Sequence, residues 1–345
     1  MQRSSTTLFL FLVIITGMCL FSCNKESTGN TESASKKKVM LYSEPSVFNI
    51  TLYTELEKAI SKTASNLSSI QLTKQELSGK SDEKDFSILK SAAASQKYDL
   101  IITATPRTGK MIENIANDYP TQQFLTINAP KTHSPFVHSL YISQKEQAFL
   151  LGYLGGLVTK SNLEGINSSL NAGLLVVDNL PLFKQEIEPG FSLGLKTAHP
   201  GTELYIKKVP PDANETEIKS AISDLISKEV DVILPILDKN SKTAIDYAKG
   251  ENAYILWLGS NAYPKAPITI VGCITSKYND IIEELFLQLE AETLSVGSRR
   301  TIGIIDGYIE FLSNDINYKR HTPDLIKEQF GIMLDRMKEG RFSLR

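Results

Sequence analysis

The chain has 345 residues, 41% of them hydrophobic and 22% charged, with 37 Lys and Arg against 39 Asp and Glu. That length accommodates two domains of ordinary size, and the near-average composition excludes wholesale disorder, a collagen repeat and a disulfide scaffold. A formal net charge of -2 lacks the basic footprint of a nucleic-acid binder, so no nucleic-acid partner is expected.

At the start of the chain, Arg3 precedes an apolar run from Leu8 to Phe21 that only Thr16 and Gly17 interrupt. A bilayer-spanning helix takes about 20 apolar residues, so the shorter run reads as a signal peptide over 1–22 rather than a permanent anchor. It ends in Leu20-Phe21-Ser22-Cys23, which resembles a bacterial lipobox, with Phe21 where a small residue is commoner. The expected outcome is a Cys23 bearing acyl chains such as palmitate. These would hold the protein on a lipid bilayer, facing the periplasm or the cell exterior. Residues 23–36 follow as a tether, polar and without apolar periodicity. Cys19 falls within the signal, which leaves Cys273 alone in an apolar run, with no partner for a disulfide and no metal spacing.

From Lys37 the chain alternates short apolar runs with amphipathic stretches. Val39–Tyr42, Ser69–Leu72, Tyr98–Thr103 and Gln123–Ile127 read as strands; Thr51–Leu67, Asp85–Gln96 and Arg107–Asp118 read as helices. After a long helix over Gln144–Lys160 the alternation restarts. Strands are expected at Ala172–Val177, Leu204–Val209, Asp231–Leu234 and Tyr254–Leu258, with helices at Pro181–Thr197, Glu215–Lys228 and Ser241–Lys249. Strand–helix alternation with short connections means parallel sheets covered on both faces. A further strand (Ile268–Ile274), a helix (Asn279–Leu294) and another strand (Thr301–Ile305) exceed a simple tandem. They suit two doubly wound α/β lobes joined by a three-strand hinge, the architecture of a type I periplasmic binding protein. The expected lobes are 37–142 plus 275–296 and 143–274 plus 297–345. In such a fold both sets of strand carboxyl ends face one cleft, which binds ligand and closes by hinge motion.

Nothing points to catalysis. His133, His138, His199 and His321 lack metal-ligand spacing, and neither a nucleophile elbow, a Walker A loop nor an HExxH run is present. No enzymatic role and no cofactor are expected. Thr105, in the strand-end loop Thr105-Pro106-Arg107-Thr108-Gly109-Lys110, heads a helix whose N-terminus can offer N–H groups to a ligand.

The ordered set Gln147-Ala148-Phe149-Leu150-Leu151-Gly152-Tyr153-Leu154-Gly155-Gly156-Leu157, Pro189-Gly190-Phe191-Ser192-Leu193-Gly194-Leu195 with His199-Pro200, and Trp257-Leu258-Gly259 resembles the basic membrane protein family of bacterial lipoproteins. That family includes purine nucleoside receptors of ABC importers. Phe149, Tyr153 and Phe191 are expected in the core, and the small residues of the signature helix are expected to bring it close to a sheet. The resemblance implies that Phe48 and Asn49 address a base. It sets Asn128 where the family carries an Asp that holds ribose hydroxyls and Asn261 where it carries a second Asp, and it also matches Lys277, Asp178 and Phe183. Pro235–Lys239, with Asp238, replaces a Gly-rich loop. Losing two carboxylates matters, because a charge-assisted hydrogen bond contributes about 1.5–3 kcal/mol against about 1 for a neutral one. The implied function is a lipid-anchored substrate-binding protein that clamps a small polar ligand, a nucleoside first, and delivers it to an ABC permease. The alternative is a surface lipoprotein of the same fold acting by protein–protein contact; a polar cleft favours transport and an apolar, collapsed one favours contact.

Overall fold

The computed structural model describes residues 35–44, 51–129, 134–178, 180–237 and 240–344. The first lobe runs β1 (Lys37–Ser43), α1 (Thr51–Asn66), β2 (Ile70–Glu76), α2 (Asp82–Ala94), β3 (Leu100–Thr103), α3 (Pro106–Ala116), β4 (Gln123–Ile127) and β5 (Val137–Ile142). The strands pair in parallel, with Val39 opposite Leu100 and Leu100 opposite Gln123. Their apolar runs do not alternate with polar residues because both faces are covered. Successive side chains point to opposite faces. Val39, Leu41, Leu100 and Ile102 therefore pack with Tyr53, Leu56 and Ile60 of α1, whereas Met40, Tyr42 and Ile101 pack with Leu89 of α2 and Ile112 of α3.

The chain crosses to the second lobe after Ile142. Ser143 caps α4 (Gln144–Val158) by accepting the Glu146 N–H. Then follow β6 (Asn171–Val177), α5 (Glu188–Ala198), β7 (Glu203–Val209), α6 (Glu215–Ile226), β8 (Val230–Ile236), α7 (Ser241–Gly250), β9 (Tyr254–Leu258) and β10 (Ile270–Ser276). A second crossing leads through α8 (Tyr278–Glu290) to β11 (Arg299–Ile302), which extends the first sheet by pairing with β5, Arg299 opposite Ser139. A third leads to β12 (Ile309–Phe311), antiparallel to β10, and then to α9 (Ile316–His321) and α10 (Asp324–Lys338). The described residues thus form two six-stranded sheets of order β11-β5-β4-β3-β1-β2 and β12-β10-β9-β8-β6-β7. This is the doubly wound, two-lobed α/β fold expected from the order of elements. Two boundaries shift. Residues 297–302 were expected in the second lobe, but the β11–β5 ladder assigns 299–302 to the first sheet, and Thr275 and Ser276 end a strand of the second.

The signature helix differs in detail. Its glycines do open a close approach, but chiefly to another helix. A Cβ on Gly152 would collide with the Phe191 carbonyl, and one on Gly194 would collide with the Phe149 carbonyl, so α4 and α5 touch backbone to backbone. Only Gly155 faces the sheet, against Leu256. The helix expected over Pro181–Thr197 starts later. Leu182 takes a left-handed φ of 60° and is followed by a π turn over Phe183–Ile187, in which the Ile187 N–H reaches the Leu182 carbonyl at 3.3 Å. Phe149 and Phe191 are buried, as expected, and Tyr153 is half-buried beneath Phe330 of α10. Cys273 is buried, which pushes its thiol up to about 12 and leaves it unreactive. Among the described residues, no helix is long and apolar enough to cross a membrane.

Candidate functional site

A cleft of about 790 Å³ opens between the carboxyl ends of the two sheets. The first lobe contributes Glu44 just after β1, Thr105 and Arg107 at the start of α3, Ala129 after β4, Tyr141 of β5 and Arg299 of β11. The second contributes Asp178 after β6, Leu180 to Leu182, Gln185 and Glu186 of the π turn, and Pro211 after β7. Most of these positions follow the rule for open α/β sheets, in which the chain leaves each strand beside the crevice.

The floor on the first lobe is an ion-pair network. Glu44, 3% exposed, accepts from the Thr105 hydroxyl and from Arg107 Nε at 3.0 Å. Arg107 also donates Nη1 to Asp82 and Nη2 to Asp85, both at 2.6 Å. Burial alone would push the Asp85 carboxyl up. The Arg107 guanidinium and the Ser78 and Gly79 N–H groups more than offset this and hold it below the ordinary carboxylate range. Burial works against the charge on Arg107 too, yet its three carboxylates raise its pKa further. On the second lobe Glu186 accepts the Lys145 N–H at 3.2 Å and faces the Tyr141 hydroxyl, whose pKa is raised first by burial and then by that carboxylate. The Arg299 guanidinium lies 4.5 Å from the centre of the Tyr141 ring.

The residues expected at the site fall in several places. Thr105 and Asp178 line the cleft. Thr105 is spent on structure: besides Glu44 it contacts the Thr108 hydroxyl at 2.8 Å and caps α3. Asn128 is buried at a left-handed φ of 55°, and its carbonyl accepts the Ile142 N–H at 3.0 Å, which ties the end of β4 to the end of β5. Its neighbour Ala129 reaches the cleft instead. Phe183 packs in the core with Lys184 and Lys208 each 5.7 Å from its ring centre. Asn261 is exposed, donates to Asp315 at 3.0 Å and accepts the Tyr263 N–H, so it braces the loop before α9. Lys277 lines a separate groove of about 960 Å³ along α1 and the start of α8. Phe48, Asn49, Asp238 and the acylation site Cys23 lie outside the described residues.

Glu44, Tyr141, Glu186 and Arg299 were not anticipated. Glu44 had the signal that singled out Thr105, a position just beyond a strand end. Tyr141 went unseen because Val137–Ile142, with its His and two hydroxyl residues, does not read as a buried strand. Arg299 went unseen because the strand expected at Thr301–Ile305 begins earlier, at Arg299, and pairs with that unexpected strand. Among the described residues, no group of three or more His, Cys, Asp or Glu is placed to hold a metal ion.

Two facing α/β sheets joined by three crossings, with a cleft of charged and apolar lining between their strand ends, define a type I binding-protein fold. The comparisons narrow this. The chain belongs to the Bmp family, described as "ABC transporter substrate-binding protein PnrA-like", whose model matches residues 36–339. It is 21% identical over 247 residues to a CD4+ T-cell-stimulating antigen of Listeria innocua, covering 68% of this chain and 64% of that relative. The match thus spans under two thirds of the relative's length. Among solved structures it is similar to an ABC transporter solute-binding protein of Aeropyrum pernix, with a TM-score of 0.74 and 13% identity over 89% of this chain and 92% of that one. It is also similar to a carbohydrate-transporter solute-binding protein of Agrobacterium radiobacter in complex with D-arabinose, with a TM-score of 0.59 and 13% identity over 86% and 99% of the two chains. At such identities the likeness to solved structures establishes the fold alone.

Proposed function

We propose that this chain is the solute-capturing component of an ABC importer, working outside the cytoplasm. In this reading it is held on a lipid bilayer through acylated Cys23 and clamps a small polar ligand, a nucleoside first, for a membrane permease. The observation that carries the reading is the cleft itself, where Glu44, Arg107, Asp178, Glu186 and Arg299 set charged groups among apolar lining residues such as Val177, Leu180 and Leu182. Such a lining favours capture of a hydrophilic solute over the alternative of a scaffold acting by protein–protein contact. Asp178 is half-buried at the end of β6, and its carboxylate suits vicinal hydroxyls of the kind a ribose carries. Binding energy would then shift an open–closed equilibrium, and the closed form would dock on the permease.

A thermal-shift titration of the full chain in detergent tests the ligand. Adenosine, guanosine or inosine at millimolar concentration should raise Tm, because a ligand that binds only the folded state stabilises it. If none of the three moves it, the nucleoside reading falls. The anchor is tested separately by Cys23→Ser, which should release the protein from the detergent phase; unchanged partitioning would count against acylation at that residue.

A further inference from the structure

The charges of the cleft are unequally committed. Arg107 is held by Glu44, Asp82 and Asp85, and Glu186 accepts the Lys145 N–H. Among the described residues, Arg299 forms no ion pair and its guanidinium makes no hydrogen bond; its sole partner is the face of Tyr141 at 4.5 Å. Tyr141 is 8% exposed and fixed in the ladder of β5, so the exposed guanidinium rests on a rigid platform. A stacked guanidinium keeps its in-plane N–H donors free and has already lost part of the rotamer freedom that binding would otherwise take from it.

From this we infer that Arg299 is a specificity-determining residue that receives an anionic group, a phosphate or carboxylate, carried by the ligand. The planar donor fork of Arg matches two oxygens of such a group at once. The inference rests on the proposed role of the cleft in solute capture and deepens it. The favoured ligand is an acidic polar solute whose hydroxyl-bearing end faces Asp178 on the opposite lobe. In a nucleoside series this means a nucleoside monophosphate ahead of the neutral nucleoside.

Isothermal titration of the full chain in detergent with matched pairs provides the test: adenosine against adenosine 5′-monophosphate, and ribose against ribose 5-phosphate. In at least one pair the phosphorylated member should bind about 10- to 100-fold more tightly, as one charged bidentate contact implies. Arg299→Gln should erase that preference by weakening the phosphorylated member far more than the neutral one. Arg299→Lys should restore it in part, and raising the salt should weaken it. Arg299 is exposed, so the variants should keep the wild-type Tm, which separates loss of binding from loss of fold. If neither phosphorylated member binds more tightly than its neutral partner, or if the preference survives Arg299→Gln, the inference is overturned, and binding of adenosine in that case leaves the nucleoside reading standing. Ribose 5-phosphate binding through Arg299 with no nucleoside bound would support the inference and sink the nucleoside reading. No binding by any of the four overturns both.

Discussion

Arg107 gathers three carboxylates from two different stretches of chain, Glu44 beyond β1 and Asp82 and Asp85 on the first turn of α2. Asp85 is fully buried and accepts from Ser78 and Gly79 N–H groups, each at 2.9 Å, besides the guanidinium. Breaking a buried ion pair from one side leaves the other charge uncompensated. Asp85→Asn should therefore destabilise the protein by about 3 kcal/mol in urea unfolding. The pH dependence has a definite sign. The folded-state pKa of Asp85 lies below its ordinary 3.8, so its contribution is full above that value and is lost as the pH falls through the depressed one. The stability gap between wild type and Asp85→Asn should accordingly close as the solution is acidified past that range; a gap independent of pH would show that Asp85 acts by shape rather than charge.

At the scale of elements, α4 and α5 carry the tightest packing in the fold. Gly152 and Gly156 on one helix and Gly190 and Gly194 on the other leave no room for a Cβ against the facing backbone. Gly194→Ala places a methyl group on the Phe149 carbonyl, and overpacking of this kind costs about 1–3 kcal/mol. A drop in Tm of several degrees is expected, and an unchanged Tm would mean that the helices are free to separate. The glycines were visible in the sequence, yet their partner was not, because a residue pattern reports a small surface without saying what lies against it. Most strands were legible because runs such as Leu100-Ile101-Ile102 are apolar on both faces. Val137–Ile142 was not, since His138 and Ser139 are buried polar residues satisfied in part by distant groups: His138 Nδ1 meets the Ser295 carbonyl at 2.6 Å. Asn128 shows the same limit at the site. Its position at a strand end was readable, but its side chain is spent on the Ile142 N–H rather than on the cleft.

At the scale of the whole molecule, three crossings tie the lobes together, after Ile142, Ser276 and Ile302. They pass close to one another: β5 and β11 pair directly up to Ile142 and Ile302, and the Lys277 N–H bonds the Tyr308 carbonyl at 2.7 Å. Connections that leave from adjacent strands let the lobes pivot without breaking either sheet, which is how a cleft closes on a solute. Gln185 is exposed on the π turn and lines that cleft, so it can be enlarged without disturbing the core. The most direct test of the cleft as the binding site is isothermal titration of wild type and Gln185→Trp with the tightest-binding member of a panel of nucleosides, nucleoside monophosphates and pentose phosphates. Wild type should bind saturably, and Gln185→Trp should lose at least tenfold in affinity at unchanged Tm. Equal affinity in the two proteins would contradict binding in the cleft.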